Sequence, residues 1–277
     1  MKVFRELVHS YFSDLRTTLD AQSAAYRSKE SPDLVTKRMA IVFFGAALCL
    51  LIVKFCGNTD DPRWLGKILE PIGLGHVSDA FEYAVTKAPE RRINARIWWA
   101  SVRIVGYLLL PMLIVKGFLR TPLGETGLSL RGKSQWKVYA TLLVVVMPFV
   151  VAASFGSGFQ KKYPYYQPQI GESLFPNFVA WELLYATQFI GIEYFFRGFF
   201  VHGLRRELGY AAIFAPAVPY MMIHYGKPLP EALGSLVTGF VLSTLSLRTR
   251  SIWGGALLHG IVACSMDTLS LWHRGLL

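Results

Sequence analysis

Residues 191–198 read Gly-Ile-Glu-Tyr-Phe-Phe-Arg-Gly and place a carboxylate and a guanidinium inside a stretch that is apolar enough to cross a membrane. A charged side chain at the centre of a membrane helix costs at least about 2.5–3.5 kcal/mol, so an ionisable residue there indicates function by default. The i, i+4 spacing lets Arg197 fold back one helical turn and pair with Glu193. A purely structural ion pair is the alternative. The stretch therefore predicts a membrane helix that carries a charged site.

The composition is that of a polytopic membrane protein. Of the 277 residues, 53% are hydrophobic and only 17% are charged, which is too apolar for an ordinary soluble domain of this length. The formal net charge is +11, and the basic residues cluster just outside the apolar runs. That pattern is typical of loops facing anionic lipid and argues against a nucleic-acid partner. The three cysteines have no metal-ligand spacing and indicate no disulfide framework.

The apolar runs predict an all-α, polytopic membrane helix bundle of about seven spans. Most of these runs are close to the roughly 17–25 residues that cross a bilayer, although the fifth and sixth are short. Pro216 and Pro219 are expected to loosen the fifth span, which is tolerated where a helix lines a protein cavity. The predicted spans are residues 39–57, 99–118, 137–156, 176–203, 210–225, 232–247 and 253–273.

An N-terminal segment precedes the membrane domain. Within residues 1–38, apolar residues that include Leu15 and Leu19 recur at helical spacing among basic ones. This predicts an amphipathic helix that lies on the membrane surface or, alternatively, packs on the protein's own loops. Residues 39–277 are predicted to form the membrane domain. The distribution of Lys and Arg favours a cytoplasmic N-terminus, with the basic segment at 58–97 as the one conflict.

Two histidines in apolar surroundings extend the charged pair into a candidate catalytic set. His224 and His259 fall on different predicted spans from Glu193, and all three lie in the inner or middle part of the bilayer when depth is counted along the helices. One carboxylate and two imidazoles can activate water and stabilise an oxyanion. The same three groups could hold zinc with an open coordination position, although no His-Glu-x-x-His element supports a metal.

At these residues the chain resembles the CAAX protease and bacteriocin-processing family, the intramembrane proteases related to the type II CAAX prenyl endopeptidases. The likeness covers about residues 124–266. It comprises the Glu-x-x-x-Arg stretch from Glu193 to Arg197, the aromatic-x-x-x-His element from Tyr220 to His224, and a closing Leu-Leu-His that ends at His259. Three such motifs in order, each on a predicted span, make a specific signal.

The resemblance implies an intramembrane endopeptidase that cleaves a membrane-associated or lipidated protein with activated water. Carried over to this chain, it makes Glu193 the general base, Arg197 its positioning residue, His224 the water partner and His259 the oxyanion donor. It requires no cofactor, although a divalent metal such as zinc is not excluded. The expected location is the bacterial inner membrane, with a membrane peptide as substrate and anionic lipid as a further partner.

Two positions depart from the pattern of the family. The family usually has adjacent glutamates before the x-x-x-Arg element, and Ile192 occupies the first place here. The fourth residue after the last histidine is usually Asn or a similar polar residue, whereas this chain has Ala263, which donates no hydrogen bond. Two hypotheses follow. Either Glu193 alone serves an active protease, or the site is degenerate and the protein is a membrane-peptide binding, immunity or assembly factor.

Three further polar residues are predicted to have structural roles. Glu182 lies three turns before Glu193, about 16 Å away along the helix, and is predicted to be an interfacial residue. Asp267 lies two turns after His259; of two alternatives, lining the cavity or capping a helix near the far interface, the cap is the prediction. His202, beside two arginines, is predicted to lie at the cytoplasmic interface.

Overall fold

The structure, a computed structural model, describes residues 2–59, 62–130, 136–168 and 171–277, with residues 2–12 described by their backbone only. The described ranges contain helices and no strand. This confirms the predicted all-α membrane bundle.

The helices follow one another closely along the chain. A π-helical segment at Val105–Leu109 joins α5 to α6, and another at Tyr194–His202 joins α9 to α10, so each pair forms one continuous helix. The helices are α1 (Lys2–Arg27), α2 (Pro32–Cys56), α3 (Trp64–Leu69), α4 (Gly75–Thr86), α5 (Arg91–Ile104), α6 (Leu110–Gly117), α7 (Trp136–Ser154), α8 (Ser157–Lys162), α9 (Asn177–Glu193), α10 (Gly203–Leu208), α11 (Ala217–Met222), α12 (Leu229–Thr249) and α13 (Trp253–His273).

Five helices in the described part of the chain are long and apolar enough to cross a membrane, and the protein is an integral membrane protein. They are α2, the continuous helix Arg91–Gly117, α7, α12 and α13. The first begins earlier than residue 39 because Ser31 caps it. The Ser31 side chain accepts a hydrogen bond from the Leu34 backbone N–H at 3.2 Å, and Pro32 occupies the first helical position.

Two of the predicted spans are not among these five helices. The span predicted at 176–203 lies within the continuous helix 177–208, which carries Glu193 and Arg197. The prediction of one helix over 210–225 was wrong. That segment divides into a 3₁₀ turn, Gly209–Phe214, and the short helix α11. Proline supplies no backbone N–H, so Pro216 and Pro219 prevent the hydrogen-bond ladder from continuing through the segment.

The helix 177–208 is the centre of the bundle. Its α9 part packs against α13 and α5, and its π-helical part packs against α2, α6 and α12. Phe195, Phe196 and Phe199 are fully buried there. Glu193 and Arg197 on this helix are therefore surrounded by protein rather than by lipid. Polar residues are tolerated in a membrane protein at such positions.

The N-terminal helix α1 packs against α10 and the 3₁₀ turn that follows it. Ser23 Oγ donates to the backbone oxygen of Glu207 at 3.0 Å, and the Tyr210 backbone N–H donates to Asp20 Oδ1 at 2.9 Å. Leu19 is buried in a small apolar cluster with Val201 of the central helix and with residues of the 3₁₀ turn and α12. Of the two alternatives that the sequence left open, these contacts agree with a helix packed on the membrane domain.

A buried ion pair joins α2 to α10. Arg38 Nε lies 2.8 Å from Glu207 Oε1, and Arg38 Nη1 donates to the backbone oxygen of Leu119 at 2.9 Å. Removing one partner of such a pair leaves a buried charge unpaired, which typically costs about 3–5 kcal/mol. We therefore predict that Arg38→Met lowers the free energy of unfolding by about that amount, measured by equilibrium denaturation in detergent.

The control for this prediction is the pair Arg16–Asp20, whose side chains are 71% and 48% exposed. Exposed ion pairs are worth about 0–1 kcal/mol, so Arg16→Ala should change stability little. Equal losses in Arg38→Met and Arg16→Ala would contradict the structural role given to Arg38.

Candidate functional site

Glu193 and Arg197 form an ion pair where α9 passes into the π-helical segment. Each residue is 1% exposed, and Arg197 Nη1 lies 3.1 Å from Glu193 Oε1. The guanidinium carbon of Arg197 lies 4.3 Å from the ring centroid of Tyr220. Despite the short distance to Glu193, the guanidinium nitrogens make no hydrogen bond of acceptable geometry with any described residue. Arg197 is therefore held by charge and by stacking, and both contacts are strong away from water.

The same oxygen of Glu193 contacts a histidine on another helix. His259 Nδ1, on α13, lies 3.1 Å from Glu193 Oε1. A carboxylate can only accept, so the Nδ1–H donates. In the neutral ring this leaves Nε2 with a free lone pair. Glu193 therefore fixes both the orientation of the His259 ring and the nitrogen that carries the proton.

Two glycines let α13 approach the central helix closely enough for this contact. A Cβ atom at Gly255 would lie 2.8 Å from Glu193 Oε2, and one at Gly254 would lie 2.2 Å from the ring of Tyr139. His259 follows Gly255 by one helical turn and so lies on the same face of α13. The Gly-Gly pair thus brings the imidazole and the carboxylate together.

His224 is placed by the irregular segment around α11. The residue lies just after the end of that helix and is 6% exposed. Its Nδ1 donates to the backbone oxygen of Tyr220 at 2.7 Å. As in His259, this bond leaves Nε2 as the acceptor nitrogen of the neutral ring. The prolines that interrupt the segment therefore position a histidine where a regular helix would continue.

His224 and His259 line one cavity of about 50 Å³. A volume of that size holds at least one water molecule. The lining also includes Ile192, Gln188, Arg103 and Lys227. Glu193 is not among the described residues that line it. The structure thus brings Glu193, Arg197 and His259 into contact and joins His224 to them through the shared cavity.

The two departures from the expected motif pattern have different surroundings. Ile192 lines the cavity and is 7% exposed, so an apolar side chain faces the volume where the first glutamate would be expected. A step of one residue rotates a helical side chain by about 100°, which turns Glu193 away from the cavity and towards α13. Ala263 is buried in the apolar core and is not among the residues that line the cavity.

One prediction about a polar residue outside the site was wrong. Asp267 is fully buried and does not cap a helix. Its carboxylate accepts from the backbone N–H of Tyr165 at 3.2 and 3.1 Å and so ties a loop to α13. His202 is 4% exposed, and its Nε2 lies 2.8 Å from Ser246 Oγ. Its position at the cytoplasmic interface stays a prediction. Glu182 has one carboxylate oxygen that is buried and has no hydrogen-bond partner among the described residues.

Sequence reasoning missed Arg103 and Lys227 as residues of the cavity. Arg103 is a basic residue inside the predicted span 99–118, which was itself an available signal. Lys227 follows His224 by three residues and is paired, since its Nζ lies 2.5 Å from Glu231 Oε1. Tyr163 donates to the same carboxylate at 2.7 Å.

The described residues contain no group of three or more His, Cys, Asp or Glu side chains placed to hold a metal ion. Glu193 and His259 are in contact, but their contact is a hydrogen bond through Nδ1. The zinc alternative with Glu193, His224 and His259 as ligands stays a prediction. Metal analysis of the purified protein tests it.

The fold and the site define a class of protein, the polytopic membrane proteins that hold a buried cluster of polar side chains inside a helix bundle. Residues 174–265 match the family model described as type II CAAX prenyl endopeptidase Rce1-like. The matched segment contains Glu193, Arg197, His224 and His259. The match confirms the resemblance to the CAAX proteases over this segment of the chain and supports, at the level of the family, an intramembrane protease. Comparison with curated proteins and with solved structures gave no match.

The close approach at Gly255 gives a test of the site's geometry. In Gly255→Ala the new methyl group would displace the Glu193 carboxylate, which is held by Arg197 and His259. Overpacking of this kind costs about 1–3 kcal/mol, so we predict a loss of that size in the free energy of unfolding in detergent.

Gly234 provides the matched helical glycine, because a Cβ there has no neighbour within 4 Å. Gly234→Ala should be neutral or stabilise the protein by up to about 1 kcal/mol, since alanine favours helix. If the two alanine variants had the same stability, the close packing of α13 on Glu193 would be refuted.

Proposed function

We propose that the protein hydrolyses a peptide bond in a membrane-associated or lipidated protein, inside the inner membrane of a bacterium. The observation that carries the proposal is the hydrogen bond between His259 and the buried Glu193 carboxylate, beside a cavity that His224 also lines. The family assignment supports the reaction class. The free lone pairs of two imidazoles, directed by their Nδ1–H bonds, support the use of water.

His259 is the general base in this proposal. Arg197 balances the charge of Glu193, and Glu193 accepts the Nδ1–H of His259 at 3.1 Å. The Nε2 atom of His259 then takes a proton from water in the cavity. This division of roles differs from the one carried over from the resemblance, in which Glu193 itself is the base. Its support is that Glu193 contacts α13 and is not among the residues that line the cavity.

His224 holds the same water. Its Nδ1–H is used by the Tyr220 backbone oxygen, so its Nε2 accepts the second hydrogen of the water molecule. The water oxygen attacks the carbonyl carbon as its proton passes to His259. Collapse of the tetrahedral intermediate breaks the C–N bond, and His259 returns the proton to the leaving nitrogen. The immediate products are a carboxylic acid and an amine; the acid then loses the second proton of water to the amine, which leaves a carboxylate and an ammonium group. No acyl-enzyme forms.

The proposed partners follow from composition and from the position of the site. A substrate must reach a cavity within the helix bundle, which favours a membrane-associated peptide. The net charge of +11 favours anionic lipid over nucleic acid at the protein surface. The proposed mechanism uses no cofactor.

A second candidate function is peptide binding without cleavage, as in an immunity or assembly factor. The specific observation in its favour is that Ile192, not a carboxylate, faces the cavity. An apolar wall at this point favours retention of a peptide over activation of water. This alternative predicts that biological function survives Glu193→Gln.

The two functions are separated by the cleavage of co-expressed candidate membrane peptides, detected by mass spectrometry and normalised to folded protein. General acid–base catalysis contributes about 10²–10⁴-fold, and we predict that Glu193→Gln lowers the cleavage rate within that range because His259 loses its orienting partner. Glu90→Gln, at an exposed acid outside the site, should cleave like wild type.

Ile192→Glu supplies the other arm of the same assay. A wild type that cleaves, together with an inactive Glu193→Gln, supports the hydrolase. A wild type that is inert while Ile192→Glu gains cleavage would show that the natural protein is a binder. Cleavage by Glu193→Gln at the wild-type rate would refute the role of the Glu193–His259 pair.

A further inference from the structure

An arginine near the middle of a membrane span has no carboxylate partner in the part of the chain that the structure describes. Arg103 lies near the centre of the span Arg91–Gly117. Its guanidinium carbon lies 3.5 Å from the ring centroid of Trp99. Among the described residues, no carboxylate pairs with Arg103. A cation at this depth without a counter-ion is costly, and the usual reason for keeping one is function.

Arg103 lines the same cavity as the two histidines. Of the two fixed cations in that lining, Lys227 is neutralised by Glu231 at 2.5 Å. The positive charge that remains available to an occupant of the cavity is therefore that of Arg103. Because water screens little in an enclosed site, a negative charge that develops in this volume interacts strongly with it.

Gln188 supplies an independent observation in the same lining. The residue is 2% exposed, and its side-chain oxygen has no hydrogen-bond donor among the described residues. A buried acceptor without a partner costs free energy until an occupant supplies a donor. The cavity thus offers a fork of donors on Arg103 and an acceptor on Gln188. A peptide group, with one carbonyl and one N–H, complements both.

We infer that Arg103 binds the carbonyl oxygen of the scissile peptide and stabilises the oxyanion, while Gln188 accepts the peptide N–H. This inference rests on the proposed function and adds to it. When water attacks, the carbonyl π pair moves to the oxygen, and the guanidinium N–H groups donate to the resulting negative charge. When the C–N bond breaks, the electron pair on the oxygen re-forms the carbonyl π bond of the new carboxyl group. Arg103 thereby supplies, from another helix, the donor that Ala263 lacks.

The charge of the occupant is tested with two defined probes. One is a capped trileucine in which a peptide bond is replaced by a phosphinate, which carries one negative charge like the tetrahedral intermediate. The other is the ketomethylene analogue, which is neutral and of similar shape. Binding of both to the full-length protein in detergent is measured by calorimetry. Wild type should bind the phosphinate roughly 10- to 100-fold more tightly, as expected for hydrogen bonds to a charged group.

The variants assign this preference to Arg103. In Arg103→Gln the two probes should bind about equally, and the variant should lower kcat with little change in KM for any peptide that wild type cleaves. Arg103→Lys keeps the positive charge but loses the planar set of N–H donors, so its preference for the phosphinate should be intermediate. Arg96→Gln is the matched control. Arg96 lies two turns earlier on α5, its guanidinium carbon lies 5.9 Å from the Trp181 ring centroid, and it does not line the cavity.

Each outcome decides between the inferences. If Arg103→Gln still prefers the phosphinate, or if Arg96→Gln loses that preference to the same extent, the role of Arg103 is overturned. A wild type that cleaves no peptide but shows the Arg103-dependent preference supports the anion site and refutes hydrolysis. Cleavage by Arg103→Gln at the wild-type rate leaves hydrolysis intact and refutes the oxyanion role. If Arg103→Gln does not fold, Arg103→Lys decides instead. A preference for the phosphinate that is as strong in Arg103→Lys as in wild type refutes the oxyanion role.

Discussion

The site depends on one carboxylate oxygen that contacts two partners on two helices. Glu193 Oε1 lies 3.1 Å from Arg197 Nη1 and 3.1 Å from His259 Nδ1. The first contact is local to the central helix and balances the charge. The second joins that helix to α13 and is possible only because Gly255 has no side chain. Both the packing of the bundle and the direction of the His259 ring therefore depend on where this carboxylate lies.

The carboxylate can be buried because other helices surround the helix that carries it. Hydrocarbon tolerates a charged pair poorly, but other helices cover the central helix here, and Glu193 and Arg197 are each 1% exposed. One cavity beside this carboxylate is lined by several polar side chains. Two imidazoles, the Arg103 guanidinium and the Gln188 amide oxygen line this volume, and that oxygen has no hydrogen-bond partner among the described residues. The arrangement is suited to a reaction in which charge develops on a bound peptide.

Local features of the sequence were enough to predict the Glu193–Arg197 pair, since i, i+4 spacing in a helix determines it. The contact with His259 could not be predicted, because it depends on how closely two helices distant in sequence approach. The prolines near residue 216 were recognised, but their effect was underestimated, and the predicted span became two short helical pieces. Arg103 lies outside the three motifs, so they do not predict it. Its position as a basic residue within an apolar span is nevertheless a local signal of function.

The most direct test of the account is the protonation of the His259 ring in the resting protein. Histidine labelled with ¹⁵N and ¹³C reports which ring nitrogen carries the proton, and the His259 signals are assigned by their loss in His259→Asn. The account predicts a neutral ring with the proton on Nδ1 and a bare Nε2, and predicts that this state changes in Glu193→Gln. A proton on Nε2 of the neutral ring in the wild-type protein would contradict it.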